Sequence, residues 1–186
     1  MPKPKPIRAR LVEAATKMTY RYGFGHTALA DIAKEANVPL GNVYYYFKTK
    51  DEIGNAIVER RMAHFRAQLE ALDKLESPKE RLCGFVQIKI DNCNELARSG
   101  CPVGTMCSEL HKQRGTVAKN ATILFAEGLS WMEVQFKALG KEADARGLAV
   151  QLLSSTQGVS VLAHTFNDPG MIIAEAKRLQ AWIRSL

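Results

Sequence analysis

Apolar residues recur at intervals of three and four along almost the whole of this chain, and few windows alternate with period two. That spacing puts apolar side chains on one face of a 3.6-residue helix, whereas a half-buried strand needs strict alternation. Ile7, Leu11, Ala14, Ala15 and Met18 step in this way until Gly23 and Gly25 interrupt them. Thr27 is placed to cap a second helix carrying Leu29, Ile32, Ala33 and Ala36, and Asn37 tolerates the left-handed conformation that ends it. Pro39 falls at the first turn of a short third helix, Leu40 to Phe47. Thr49 can cap a long fourth helix over residues 50–75. Five more helices are predicted over residues 78–99, 102–113, 116–139, 142–166 and 169–185, with Gly100, Gly115, Gly140 and Asn167-Asp168-Pro169-Gly170 between them. The fold class is all-α, with about nine helices.

Composition sets the outer limits. A chain of 186 residues with 46% hydrophobic residues can bury a sizeable core in one or two domains. No stretch approaches the roughly 18 uncharged apolar residues of a membrane span, and MPKPKPIRAR has no apolar run behind its charges, so the cytoplasm is expected and no membrane partner. Cys83, Cys93, Cys101 and Cys107 form no CxxC pair, and His26, His64, His111 and His164 are isolated, so neither a metal site nor a cofactor is expected. No phosphate-binding glycine loop or nucleophile elbow points to an enzyme. The net charge of +7 is unevenly spread: residues 1–50 hold nine Lys and Arg against three Asp and Glu, and the remainder is nearly neutral. A basic end on a neutral body suggests a polyanionic partner. The Lys-Pro alternation of residues 2–6 reads as a mobile, extended basic arm.

The informative stretch is TALADIAKEANVPLGNVYYYFKTKDEI, residues 27–53. A helix, a tight turn over residues 36–39 and a second short helix make a helix-turn-helix. Ile32, Ala33 and Val38 face inward, and Val43 and Phe47, four apart, anchor the second helix against them. Its other face offers Leu40, Gly41, Asn42, Tyr45 and Tyr46 to the outside, with Tyr44 the tyrosine expected to be partly packed. Asn42 suits paired hydrogen bonds to a base edge, and Leu40 a thymine methyl group. Tyr45, Lys48, Lys50 and the helix start at Thr27 are placed for phosphate contacts.

These residues resemble the DNA-binding domain of the TetR family of bacterial transcription regulators. The resemblance rests on Tyr22-Gly23, Thr27, Asp31-Ile32-Ala33, Val38, Gly41 and Val43-Tyr44-Tyr45-Tyr46-Phe47 with Lys48 and Lys50, and it covers residues 7–53. One departure is Pro39-Leu40, where many members carry Ser or Thr and then a polar or basic residue. The resemblance implies a homodimer on a pseudo-palindromic double-stranded operator. Residues 1–50 would form the DNA-binding domain and residues 51–186 a ligand-sensing and dimerisation domain. The last two helices would pair across the dimer. An apolar stripe of Leu152, Leu153, Thr156, Val159, Leu162 and Phe166, continued by Ile173, Leu179, Trp182 and Ile183, suits either that interface or the core within one chain. A non-specific architectural binder using only the basic arm is the alternative, and base-reaching Asn42 argues against it.

Two effector readings remain open. Gly100-Cys101-Pro102-Val103-Gly104 resembles a turn in a subgroup of the family that contains electrophile-sensing regulators, and the likeness carries over only to Cys101. Pro102 favours the first helical position, which puts Cys101 beside a helix start, where a thiolate is stabilised by backbone N–H groups. Cys107 could act as a resolving thiol. A plain buried cysteine in a tight turn is the competing account of Cys101. The other reading is a reversible small-molecule pocket lined by Phe65, Phe85, Ile88, Asn92, Phe125, Trp131, Met132 and Phe136, with His64, Gln87 or Glu109 supplying polarity.

Overall fold

Short-range side-chain chemistry sets several of the helix ends. The computed structural model describes residues 5–113 and 115–186, residue 113 by its backbone only, and among the described residues there are ten helices and no strand. Helix α1 spans Ile7–Tyr22 and stops at Gly23, whose φ of 87° suits a residue without a Cβ. Helix α2 spans Leu29–Glu35 and α3 Leu40–Tyr46. Asn37, at φ 51°, makes the turn between them, as its residue type foretold. Helix α4 runs over Lys50–Leu72, with the Thr49 hydroxyl accepting from Glu52 N at 3.2 Å.

Helix α5, Pro78–Asp91, opens with a capping box: the Ser77 hydroxyl accepts from Glu80 N and the Glu80 carboxylate from Ser77 N, each at 3.2 Å. The single helix predicted over residues 78–99 is two helices, because α5 ends and α6, Cys93–Ser99, begins at Asn92. The Asn92 side-chain amide donates to Ile88 O at 2.7 Å, competing locally with the helical ladder. Helix α7 spans Gly104–Gln113 and α8 Thr116–Ala138. Helix α9, Ala145–Phe166, ends at left-handed Asn167, and α10, Pro169–Ser185, starts with the Asp168 carboxylate accepting from Gly170 N at 2.8 Å.

The chain divides into two compact units. Unit 1 comprises residues 1–63 and 105–124, and unit 2 residues 64–104 and 125–186. Residue 50, the expected domain boundary, is where α4 begins.

In unit 1, Leu11, Ala15, Ile32, Val43, Phe47, Ile53 and Ile57 are buried, as are Met106 and Leu110 of α7 and Val117 and Ala121 of α8. Of the predicted basic arm, residues 1–4 lie outside the described residues. Lys5 pairs with Glu13 at 2.6 Å, and that hydrogen bond holds the Glu13 carboxyl below the usual carboxylate range. Unit 2 is built around Leu72, Leu82, Phe85, Met132, Phe136, Leu152, Leu179 and Ile183. A smaller cluster joins Cys93, Leu96 and Ala97 of α6 to Ala163 of α9 and Ile172 of α10.

Candidate nucleic-acid interface

Helices α2 and α3 hold seven residues each, too short to persist in water on propensity alone. Burial of their inner faces holds them. Ile32, Ala33 and Val38 are buried on one side of the turn, and Val43 and Phe47 on the other. Val38 N donates to Ala33 O at 2.9 Å. Arg10 of α1 fastens the turn, its guanidinium donating to Ala36 O at 2.6 Å and to Asn37 O at 2.7 Å. The Arg8 guanidinium lies 5.3 Å from the Phe47 ring centroid, covering the anchor with a cation.

The opposite face of α3 is open. Tyr45 is 74% exposed, Tyr44 49% and Leu40 41%, three large side chains left open to solvent on one short helix. Gly41 is exposed, with nothing near the place where a Cβ would stand, and Asn42 is half-buried. The packed tyrosine is Tyr46 rather than Tyr44. Both sit equally far around the helix from the Val43–Phe47 axis, so helical spacing could not separate them. Tyr46 is half-buried and meets the Tyr45 ring edge-on at 5.0 Å.

The flanking polar residues divide into two groups. The Lys48 ammonium donates to Tyr44 O at 2.8 Å at the end of α3 and remains exposed. The Lys50 ammonium instead donates to Gly25 O at 3.0 Å and lies 4.9 Å from the Phe24 ring centroid, tied into its own fold. Thr27 does not cap α2. It is buried and its hydroxyl donates to Gly23 O at 2.8 Å, while Ala28 takes the cap position with the Asp31 carboxylate accepting from its N–H at 3.4 Å.

The expected sensor residues fall into different surroundings. Cys101 is buried in unit 2 and precedes α7, which begins at Gly104 rather than Pro102. Its sulfur nevertheless accepts from Gly104 N at 3.4 Å. Cys107 is buried in unit 1 and its thiol donates to Ala121 O at 3.3 Å. Phe65, Phe85, Trp131 and Met132 come together in one core, the Phe85 and Trp131 rings 6.1 Å apart, with Trp131 Nε1 donating to Asp73 at 2.8 Å. Phe125 is half-buried. His64 and Asn92 are exposed, and Glu109 lies in unit 1 with its carboxylate bonded to backbone N–H groups. Burial raises the pKa of Cys83. Among the described residues no group of three His, Cys, Asp or Glu is placed to hold a metal ion.

The apolar stripe on α9 and α10 also divides. Leu152, Leu179 and Ile183 belong to the core of unit 2, and Thr156 is buried with its hydroxyl donating to Leu153 O at 2.9 Å. Leu153 and Trp182 pack partly against that core, and Val159 and Ile173 against the smaller cluster. Leu162 and Phe166 stand 51% and 64% exposed. Val161, absent from the predicted stripe, is exposed beside them, and Gly158 lies exposed on the same helix.

A short helix clamped along its inner face, with aromatic and apolar side chains outward and a lysine at its end, defines a helix-turn-helix DNA-binding protein. Residues 11–57 match the model of the bacterial regulatory proteins of the tetR family. The chain is 26% identical over 155 residues to the HTH-type transcriptional repressor DhaR of Mycobacterium sp. (strain GP1), covering 80% of this chain and 75% of that one. It is 28% identical over 106 residues to the HTH-type transcriptional repressor NemR of Escherichia coli (strain K12), covering 55% of this chain and 53% of that one. The crystal structure of a TetR transcriptional regulator from Legionella pneumophila shares the fold with a TM-score of 0.85 at 18% identity, covering 97% of this chain and 98% of that one. The reduced form of E. coli NemR does so with a TM-score of 0.79 at 18% identity, covering 93% and 94%. Residues 11–57 are thus a DNA-binding domain of the tetR-family type, and the relatives matched over most of the chain are transcriptional regulators.

Proposed function

We propose that the chain is a cytoplasmic homodimeric repressor that reads a pseudo-palindromic operator through α3. It leaves the operator when a small molecule binds, or a thiol is modified, in residues 51–186. The observation that carries this reading is the open face of α3, where Leu40, Tyr44 and Tyr45 project from a helix whose inner face is anchored by Val43 and, at its end, Phe47. In this reading Leu40 and Asn42 supply choice of sequence, and Tyr45 and Lys48 contact phosphate.

The test is selection from a randomised duplex pool, followed by titration of the selected site and a scrambled duplex at two salt concentrations. Asn42→Ala is expected to lose about 1–3 kcal/mol on the selected site and nothing on the scrambled one. An equal loss on both, or a wild type without preference, favours the architectural binder, whose affinity comes from phosphate charge alone.

Release follows in this reading from a shift of α4, whose residues 50–63 belong to unit 1 and 64–72 to unit 2. The bond from Gly104 N to the Cys101 sulfur supports the thiol branch, and the aromatic core around Phe85 and Trp131 supports the reversible-ligand branch. Cys101→Ser is expected to keep operator affinity and lose release by N-ethylmaleimide, read as retention of a labelled duplex. Normal release of the variant assigns Cys101 to packing.

A further inference from the structure

We infer that Glu109 is a positioning residue for operator binding: its carboxylate, carried on α7, fixes the loop between α1 and α2 and through it the setting of the recognition helix. The inference rests on the DNA-binding reading above. Glu109 Oε2 accepts from Phe24 N at 2.8 Å, and Oε1 accepts from Gly25 N. Two adjacent backbone donors are therefore satisfied by one ion from a helix 85 positions away in sequence. Hydrogen bonds to a charged acceptor are about twice as strong as neutral ones, so this is a firm attachment for an irregular segment.

The loop is shaped around that carboxylate. A Cβ at Gly23 would lie 3.2 Å from Glu109 Oε2, and the φ of 87° already disfavours any residue but glycine. The loop is held from other directions too. Lys50 donates to Gly25 O, and the buried Phe24 ring lies 2.9 Å from where a Gly54 Cβ would stand. Thr27 then returns its hydroxyl to Gly23 O, so the loop dictates where α2 begins. Helix α2 carries Ile32 and Ala33, the inner side of the pair to which Val43 and Phe47 add the other. Moving the loop thus moves the floor beneath α3. Helix α7 is itself anchored, with Met106 and Leu110 buried and the Cys107 thiol donating to Ala121 O.

The experiment uses the full chain, a site selected by the wild type and a scrambled duplex. Glu109→Gln keeps the side chain's size but sets an amide NH2 against one of the two backbone donors. It is expected to weaken binding to the selected site about tenfold, while charge-driven binding to the scrambled duplex is not weakened, since the substitution removes a negative charge. Amide exchange at Phe24 and Gly25 is expected to accelerate. Leu82→Ala, in the separate core of unit 2, controls for destabilisation. It lowers the thermal midpoint, yet below that midpoint it keeps the wild-type ratio of selected to scrambled affinity. A wild-type ratio in Glu109→Gln overturns the inference, even where exchange has accelerated. A wild type with no preference for any site overturns the regulator reading and this inference with it.

Discussion

Phe47→Ala is expected to destabilise the protein by about 3–5 kcal/mol and to abolish sequence-specific DNA binding, the largest single effect on the reading module. Phe47 is buried at the end of α3, under the Arg8 guanidinium and four residues from Val43. Truncation removes the apolar contacts of a whole ring and leaves a cavity that two seven-residue helices have little means to close. With total stabilities of about 5–15 kcal/mol for domains of ordinary size, such a loss takes much of the margin. Thermal unfolding followed by circular dichroism gives the stability, and titration of a selected duplex gives the function. A variant that melts like the wild type would show that α3 is held by something other than this anchor.

The double variant Leu162→Glu/Phe166→Glu is expected to be monomeric and to bind the operator about 10²–10⁴-fold more weakly, because linked half-site binding is lost. Both side chains are more than half exposed, so the substitution leaves the protomer's core intact and the helical content unchanged. Leu152, ten residues before Leu162 on the same helix, could not serve as the probe because it is core. Sedimentation in the absence of DNA reads the first expectation, and duplex titration the second. A dimer that survives both charges would move the proposed interface off this face of α9.

What the sequence disclosed and what it withheld follow from the range of the forces involved. The inner face of the helix-turn-helix was legible because Ile32, Ala33, Val43 and Phe47 are fixed by spacing on two adjacent helices. The left-handed Asn37 was legible from its residue type. The break at Asn92 was not, since an asparagine is as ordinary on an exposed helix face as at a helix end, and only its bond to Ile88 O distinguishes the two. Thr27 carried the right residue type for a cap, and the loop turned its hydroxyl back to Gly23 instead. Glu109 suggested pocket polarity because nothing in the sequence links it to Phe24 and Gly25. The α9 stripe was found as a stripe, yet spacing alone could not assign Leu152 to the core and Leu162 to the surface.

Gly41 carries a consequence for how such a protein changes over generations. It lies on the outer face of α3 with no atom near its missing Cβ, so a larger residue there meets no obstacle within the protein itself. Its neighbours Val43 and Phe47 maintain the helix independently of it. Selection can therefore alter position 41 in one step without first repairing stability. Duplicated copies of this chain could diverge toward new target sequences through that position while the fold stays as it is.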